Sequence, residues 1–531
     1  MDCIIKKYEN CFKSHPELPA LTDYLSGRTL SYREMAARIG SLHALLRKEG
    51  VEPADKVALI GRNGVDWICT YIGVVTYGAV IVPILADFNP ADVAGIVTHS
   101  DAKLLFGDES ILAKIDKEAL ESVRKIITLE ELAAVPADEA FDVSKINYYP
   151  AKPDDPIIIS YTSGTSGASK GVIIPVRAID MNVQFAVDHN FHFEGSRVLA
   201  LLPLAHAYGC AFDMLTPLSV GSHINVLGKI PTPAILLKAM GEVKPHLICT
   251  VPLVMEKIVR KSVLPKLDKG PVKILRHIPL IDLIIYRKVR ASLLEAFGGC
   301  VKEVNMGGAA LAKDVEKFLK KARFPFTVGY GMTETAPLIG YEVWRKFKKG
   351  SCGKLLPGMS VKVEEGGWKK GIGEICVKGP NVMLGYYKNP EATAEAIRDG
   401  WLHTGDVGLV APDGTIYLKG RCKNMILTSS GQNIYPEEVE SKLNNLPGVA
   451  ESLVYEKDGH LYALVVPEGD LEKVDYEKYK ILMKENLKIL NLVVAPYEKV
   501  SEIKLCSEPF EKTPKQSIRR FLYPAAAKIV K

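Results

Sequence analysis

The stretch Tyr161 to Gly171, YTSGTSGASKG, follows the apolar run PIIIS and gathers three glycines, a run of hydroxyl side chains and a lysine. Such a loop lets backbone N–H groups approach an anion closely, while hydroxyls and an ammonium add donors, which suits a polyphosphate. It is not a Walker motif, because Lys170 lies six residues after Gly164 and three after Gly167, and Gly171 follows it. Three further stretches carry complementary chemistry. NMGGAAL, Asn305 to Leu311, reads as a strand end opening through paired glycines, where open parallel sheets bind ligands. VGYGMTETAP offers Tyr330 to stack on a base, the Thr333 hydroxyl, and Glu334 as a carboxylate for Mg²⁺. GWLHTGD ends in Asp406, suited to accepting both hydroxyls of a ribose.

The elements that must position these groups read as α/β. Between residues 55 and 170, KVALIG, VDWICTYIGVV, AVIVPIL, PADVAGIVTHS and AKLLFG alternate strand-like and helix-like runs, the rhythm of a doubly wound sheet. The rhythm recurs in SRVLALLPL, SHINVLG, HLICTVP and CVKEVNMGG. Trp67 to Ala86 is twenty residues without a charge, long enough to cross a bilayer. Gly78 and Pro83 instead split it into a buried helix and a buried parallel strand. From Pro357 short strands and turns predict a small β-rich region ending near Gly420, and YPEEVESKLNN, AESLVYE and LYALVVP beyond Arg421 predict a compact α+β unit. The expected domains are 1–420 and 421–531.

With 47% hydrophobic and 24% charged residues over 531 positions, the chain is a folded protein of more than one domain. A formal charge of +6 at this length does not imply nucleic-acid binding. Ten scattered cysteines form no CxxC pair and no His/Cys spacing of a zinc site, and MDCIIKKYEN is not a secretory signal, so a reduced, cytoplasmic location is expected. Residues 256–290 hold ten Lys/Arg against three acids, interleaved with apolar residues. That segment reads either as solvated surface helices or as a peripheral contact with the inner, anionic face of a membrane.

Taken in this order and spacing, the motifs resemble those of the adenylate-forming superfamily of acyl-CoA synthetases, peptide-synthetase adenylation domains and luciferases. The likeness runs from RTLSYREMAARIG at Arg28 to the C-terminal loop. It implies a large N-terminal domain, a small mobile C-terminal domain, and ATP, Mg²⁺ and CoA as ligands. It further implies that Thr162, Ser163, Gly164, Thr165, Ser166, Gly167 and Lys170 hold the β- and γ-phosphates, with Ser169 replacing the usual proline. By the same likeness Gly307, Gly308, Ala309 and Ala310 form the adenine-binding strand end beside Tyr330 and Gly331, and Thr333 contacts the α-phosphate. Glu334 ligates magnesium, and Asp406 with Arg421 holds the ribose. His206, in LPLAHAYG, falls where the family lines its acyl site, a satisfied core histidine being the alternative. GRCKNMILTSSGQNIYPEEVE resembles the hinge segment, with Lys423 at the hinge and Gly431 beside the pantetheine tunnel. VPLVMEKIVRK, MGGAAL and the basic stretch between them look most like long-chain fatty acid:CoA ligases. A ligase loading an acyl carrier protein, and a relative that binds acyl groups or nucleotides without turnover, are the alternatives.

One position departs from the pattern. Relatives end in approximately P-x-x-K-T-x-x-G-K-I-x-R, and their second lysine reaches the reacting carboxylate and α-phosphate. Anchoring EPFEKTPKQSIRRFLY on Pro509, Lys512, Thr513, Ile518 and Arg520 puts Ser517 at that lysine. Three explanations stay open: Lys515 replaces the amine, adenylation is slowed by a factor on the order of 10²–10³, or turnover is lost.

Overall fold

A computed structural model of the chain describes residues 2–530 except 117, 121, 135–140, 163–168, 229–232, 277, 279, 366–370, 428–432 and 514–516. Two seven-stranded sheets dominate it. In one, Lys56–Gly61, Val80–Leu85 and Ala102–Gly107 are parallel neighbours, linked by helices Val65–Tyr77 and Pro90–His99. Val80–Leu85 is buried at every position, as expected of a parallel strand covered on both faces. Gly78 separates helix from strand as the charge-free run predicts. Its φ of +92° is left-handed, and a Cβ there would stand 2.5 Å from the Tyr149 ring, so glycine alone fits. Among the described residues no helix is long and apolar enough to cross a membrane.

The same sheet turns antiparallel where Pro156–Thr162 pairs with Lys170–Pro175, Thr162 opposite Lys170. The glycine-hydroxyl loop therefore closes a hairpin instead of opening a helix, which separates it from a Walker loop structurally as well as by spacing. In the second sheet Leu247–Thr250, Glu303–Met306 and Phe326–Val328 run parallel with Thr250, Met306 and Val328 in register. Gly307 and Tyr330 therefore emerge together, just past the carboxyl ends of adjacent strands.

A β-rich region follows, in which Ser360–Glu364, Gly373–Lys378, Trp401–Val410 and Ile416–Arg421 form successive antiparallel pairs. Beyond it, Val449–Lys457 and His460–Pro467 pair antiparallel, and Val500–Leu505 adds in parallel. Helices Pro436–Leu443 and Tyr476–Val493 cover that small sheet. Its buried apolar residues, Ile434, Val439, Leu443, Leu490 and others, pack as clusters apart from those of the larger sheets. Each such side chain, fully withdrawn from water, contributes roughly 1.5–3 kcal/mol.

Candidate active site

The carboxyl ends of the second sheet, the β-rich region and the C-terminal unit enclose one cleft of about 3330 Å³. That volume exceeds the ~300–1,000 Å³ of a site for one small molecule. Its wall is built first from backbone constraints. Gly307 donates to the Thr250 carbonyl at 3.2 Å, and a Cβ there would come within 3.1 Å of the Tyr208 ring. Tyr208 is fixed by donating to the Asn305 carbonyl at 2.9 Å. At Gly331 a Cβ would strike the Pro337 carbonyl at 2.1 Å, so the turn carrying Thr333 and Glu334 closes only over glycine. Gly307 to Ala310, Tyr330, Gly331, Thr333 and Glu334 all line the cleft.

Asp406 and Arg421 are cross-strand partners in the hairpin Trp401–Val410/Ile416–Arg421. The Arg421 Nε lies 2.8 Å from one Asp406 oxygen, and the buried Tyr330 hydroxyl donates to the other at 2.8 Å. Arg421 also donates to the Thr404 carbonyl at 3.1 Å. Burial pushes the Asp406 carboxyl above its ordinary range, while Arg421 and the Tyr330 hydroxyl oppose that shift. Burial likewise raises the Tyr330 phenol. A carboxylate has about four lone-pair directions, so Asp406 can still accept from a vicinal diol while keeping both partners.

Glu334 is buried, and its Oε1 accepts from the Tyr386 hydroxyl at 3.0 Å. The Lys170 ammonium lies 5.0 Å from the centre of the same tyrosine ring. Tyr386 thereby joins the expected metal ligand to the expected phosphate lysine. Short strand Gly385–Tyr386 pairs with Val172 and Ile173, beside Lys170. A buried carboxylate lining a wide cleft, with one oxygen held by a tyrosine, suits a hard divalent cation that keeps phosphate and water as its other ligands.

His206 lines the cleft half-buried and caps the turn Ala207–Gly209 through Nδ1, so it is not a core histidine. Lys423 is exposed at the cleft edge in the turn Cys422–Asn424. Ser163, Gly164, Thr165, Ser166 and Gly167 lie outside the described residues, as do Gly431 and Lys515; Thr162 and Lys170 fix the ends of the phosphate loop. In the C-terminal loop Lys512 and Ile518 form an antiparallel bridge, the Thr513 amide donates to the Ser517 carbonyl at 2.8 Å, and exposed Ser517 reaches the cleft. Lys512 pairs with Glu451, and Arg520 pairs with buried Glu440.

Three features escaped sequence reasoning. Tyr386 belongs to no motif and meets Glu334 only through the sheet edge. Asn305 is buried on the cleft wall with Oδ1 lacking a hydrogen-bond partner among the described residues. Cys376 and His403, whose spacing shows no metal pattern, meet as cross-strand partners. His403 Nδ1 lies 3.3 Å from Cys376 Sγ and 3.0 and 3.2 Å from Glu374 and Glu364, with Arg398 Nη2 2.5 Å away. The guanidinium supplies the positive charge among these acids, and burial holds the Cys376 thiol up at about 12.

A wall of this kind at the carboxyl ends of a parallel sheet, faced by a small C-terminal unit, is suited to a phosphorylated nucleoside. The chain belongs to the AMP-binding enzyme family, whose model matches residues 8–387. It is 27% identical over 446 residues to the long-chain-fatty-acid–CoA ligase FadD15 of Mycobacterium bovis, covering 76% of this chain and 71% of that protein. It is 26% identical over 476 residues to the 4-coumarate-CoA ligase 1 of Narcissus pseudonarcissus, covering 84% and 80%. In fold it is similar to the o-succinylbenzoate coenzyme A synthetase of Bacillus subtilis in complex with ATP and magnesium ion. That match has a TM-score of 0.77 and 23% identity, over 97% of this chain and 98% of the other.

Proposed function

We propose that the chain is an acid:CoA ligase that activates a long-chain fatty acid with ATP through an acyl-adenylate, residues 1–420 forming the adenylation domain and 421–531 a mobile domain. The observation that carries this reading is the meeting of Tyr330, Asp406 and Arg421 with Glu334 and Lys170 around one cleft. Membership of the AMP-binding family supports the adenylate, and the names of the two curated relatives support CoA as acceptor. The basic segment 256–290 favours a fatty acid over an aryl acid. The separate apolar clusters before residue 420 and after 421 support the division into domains.

In this reading Gly307 to Ala310 and Tyr330 flank the adenine, whose amino group donates to Asn305 Oδ1. Asp406 accepts both ribose hydroxyls, and Arg421 keeps it ionised. Thr162, Lys170 and the loop between them hold the β- and γ-phosphates, and the Thr333 hydroxyl contacts the α-phosphate. Magnesium at Glu334 supplies neutralising charge for the polyphosphate when bound. An acid carboxylate oxygen then attacks the α-phosphorus and pyrophosphate leaves. Rotation about Lys423 brings the segment containing Gly431 to the site, the CoA sulfur attacks the acyl carbon, and AMP is expelled. His206 lines the acyl site.

Lys515 supplies the amine that Ser517 lacks. Lys512 is committed to Glu451 and Arg520 to Glu440, and Lys515 offers a flexible four-carbon amine two positions in sequence from Ser517. Pyrophosphate release tests the function, with CoA present and acids from two to eighteen carbons, coumarate included. Release that rises with chain length supports a fatty acid ligase, and background release with every acid sinks it. A holo carrier protein in place of CoA identifies the acceptor.

A further inference from the structure

The basic segment deepens the reading above, and rests on it for the choice of acid. Its helices Pro252–Ile258, Leu264–Leu267, Val272–Leu275 and Ile281–Ala296 lie at the surface beside the cleft, and Leu253, Lys257 and Leu264 line that cleft. Exposed large aliphatic side chains concentrate here. Ile274, Leu280 and Ile284 are 71%, 77% and 54% exposed, and Ile278 and Leu283 also face solvent. Leu280 has a φ of +72°, a conformation uncommon for a bulky residue, and opens the last helix.

The charges around them are one-sided. Lys261, Lys266, Lys269, Lys273, Arg287 and Lys288 are exposed and enter no ion pair among the described residues. All three acids of the segment are engaged: Glu256 accepts from the Ala312 amide at 2.8 Å, Asp268 pairs with Arg276, and Asp282 pairs with Lys321. On the last helix Leu283 and Ile284 sit one turn before Arg287 and Lys288, so aliphatic and cationic residues share one stripe. Surface aliphatics beside unpaired cations match a bilayer whose headgroups are anionic. A protein partner fits less well, because protein interfaces favour aromatics and arginine and are depleted in lysine.

We propose that this surface docks on an anionic lipid bilayer, with Ile274, Leu280 and Ile284 entering the headgroup boundary. Long-chain acids dissolved in the bilayer then meet the cleft mouth at Leu253 and Leu264. Each lysine or arginine at such a surface adds roughly fivefold to binding, screened by salt.

Sedimentation of the full chain with phosphatidylcholine vesicles, with and without phosphatidylserine, tests the proposal. The expected result is retention that requires phosphatidylserine and falls with added salt. Lys269→Glu/Lys273→Glu/Arg287→Glu/Lys288→Glu should weaken retention by at least about 100-fold, and Ile274→Ser/Leu280→Ser/Ile284→Ser should weaken it as well. ATP binding by calorimetry should be unchanged in both variants, which establishes that they fold. No retention of the wild type, retention of the variants equal to wild type, or capture by an acidic carrier protein in place of vesicles would each overturn the proposal. Vesicle binding is read without turnover, so failure of the ligase reading would leave it standing and would show as absent pyrophosphate release.

Discussion

The nucleotide wall and the C-terminal loop of the same cleft are built on opposite plans. In the wall Asp406 is held by Arg421 and Tyr330, Glu334 by Tyr386 and Gly307 by Thr250, each partner coming from another element, and Asn305 Oδ1 is the exception. In the loop from Glu508 to Tyr523 the cations Lys512 and Arg520 point to their own domain, at Glu451 and Glu440, and Ser517 stands exposed where an amine is expected. Preorganised donors stabilise charge because they need no rearrangement when it develops. The contrast teaches that, in the proposed reading, nucleotide binding rests on groups already held in place, whereas the reacting charge depends on one that the C-terminal loop must deliver.

If the wall is as interdependent as its contacts imply, Asp406→Ala breaks it most. It removes the proposed diol acceptor, leaves Arg421 without its carboxylate and takes one hydrogen bond from the Tyr330 hydroxyl, so ATP affinity by calorimetry should fall on the order of 10²–10³. A loss below tenfold would break the comparison. In the wild type, burial places the Asp406 titration above the ordinary aspartate range. The ionised form is the acceptor, so affinity should decline on acidification before exposed carboxylates titrate.

Next to Phe212 of the cleft lining, Asp213 is buried with Oδ2 lacking a partner among the described residues, and burial raises it to about 7. The folded chain keeps this proton where the unfolded chain has released it. Stability should therefore fall as pH rises from about 4 towards about 7. Asp213→Asn should remove that slope and raise stability above neutrality by up to a few kcal/mol, read as Tm against pH. Smaller still, Tyr386→Phe removes one hydrogen bond to Glu334 and should raise the magnesium requirement for pyrophosphate release roughly three- to tenfold.

Much of the wall was legible in sequence because its parts are local. Paired glycines, YGMTE and GWLHTGD each span only a few residues and all reach the one cleft, and the apolar rhythm gave the strands that carry them. What was not legible depends on register between distant strands. Tyr386 lies 52 residues beyond Glu334 and reaches it through a sheet-edge pairing, and Cys376 meets His403 only across an antiparallel ladder. The hairpin closing the phosphate loop was hidden similarly, since PIIIS and GVIIP read alike as parallel or antiparallel strands. Asn305 carried no signal, because one unpartnered oxygen is a property of packing.

Single-turnover formation of acyl-AMP, in wild type beside Lys515→Ala and Ser517→Lys, tests the central claim most directly. Lys515→Ala should slow this step on the order of 10²–10³ while thioester formation from supplied acyl-AMP persists, and Ser517→Lys should change little. A strong rise in Ser517→Lys together with a silent Lys515→Ala would contradict it.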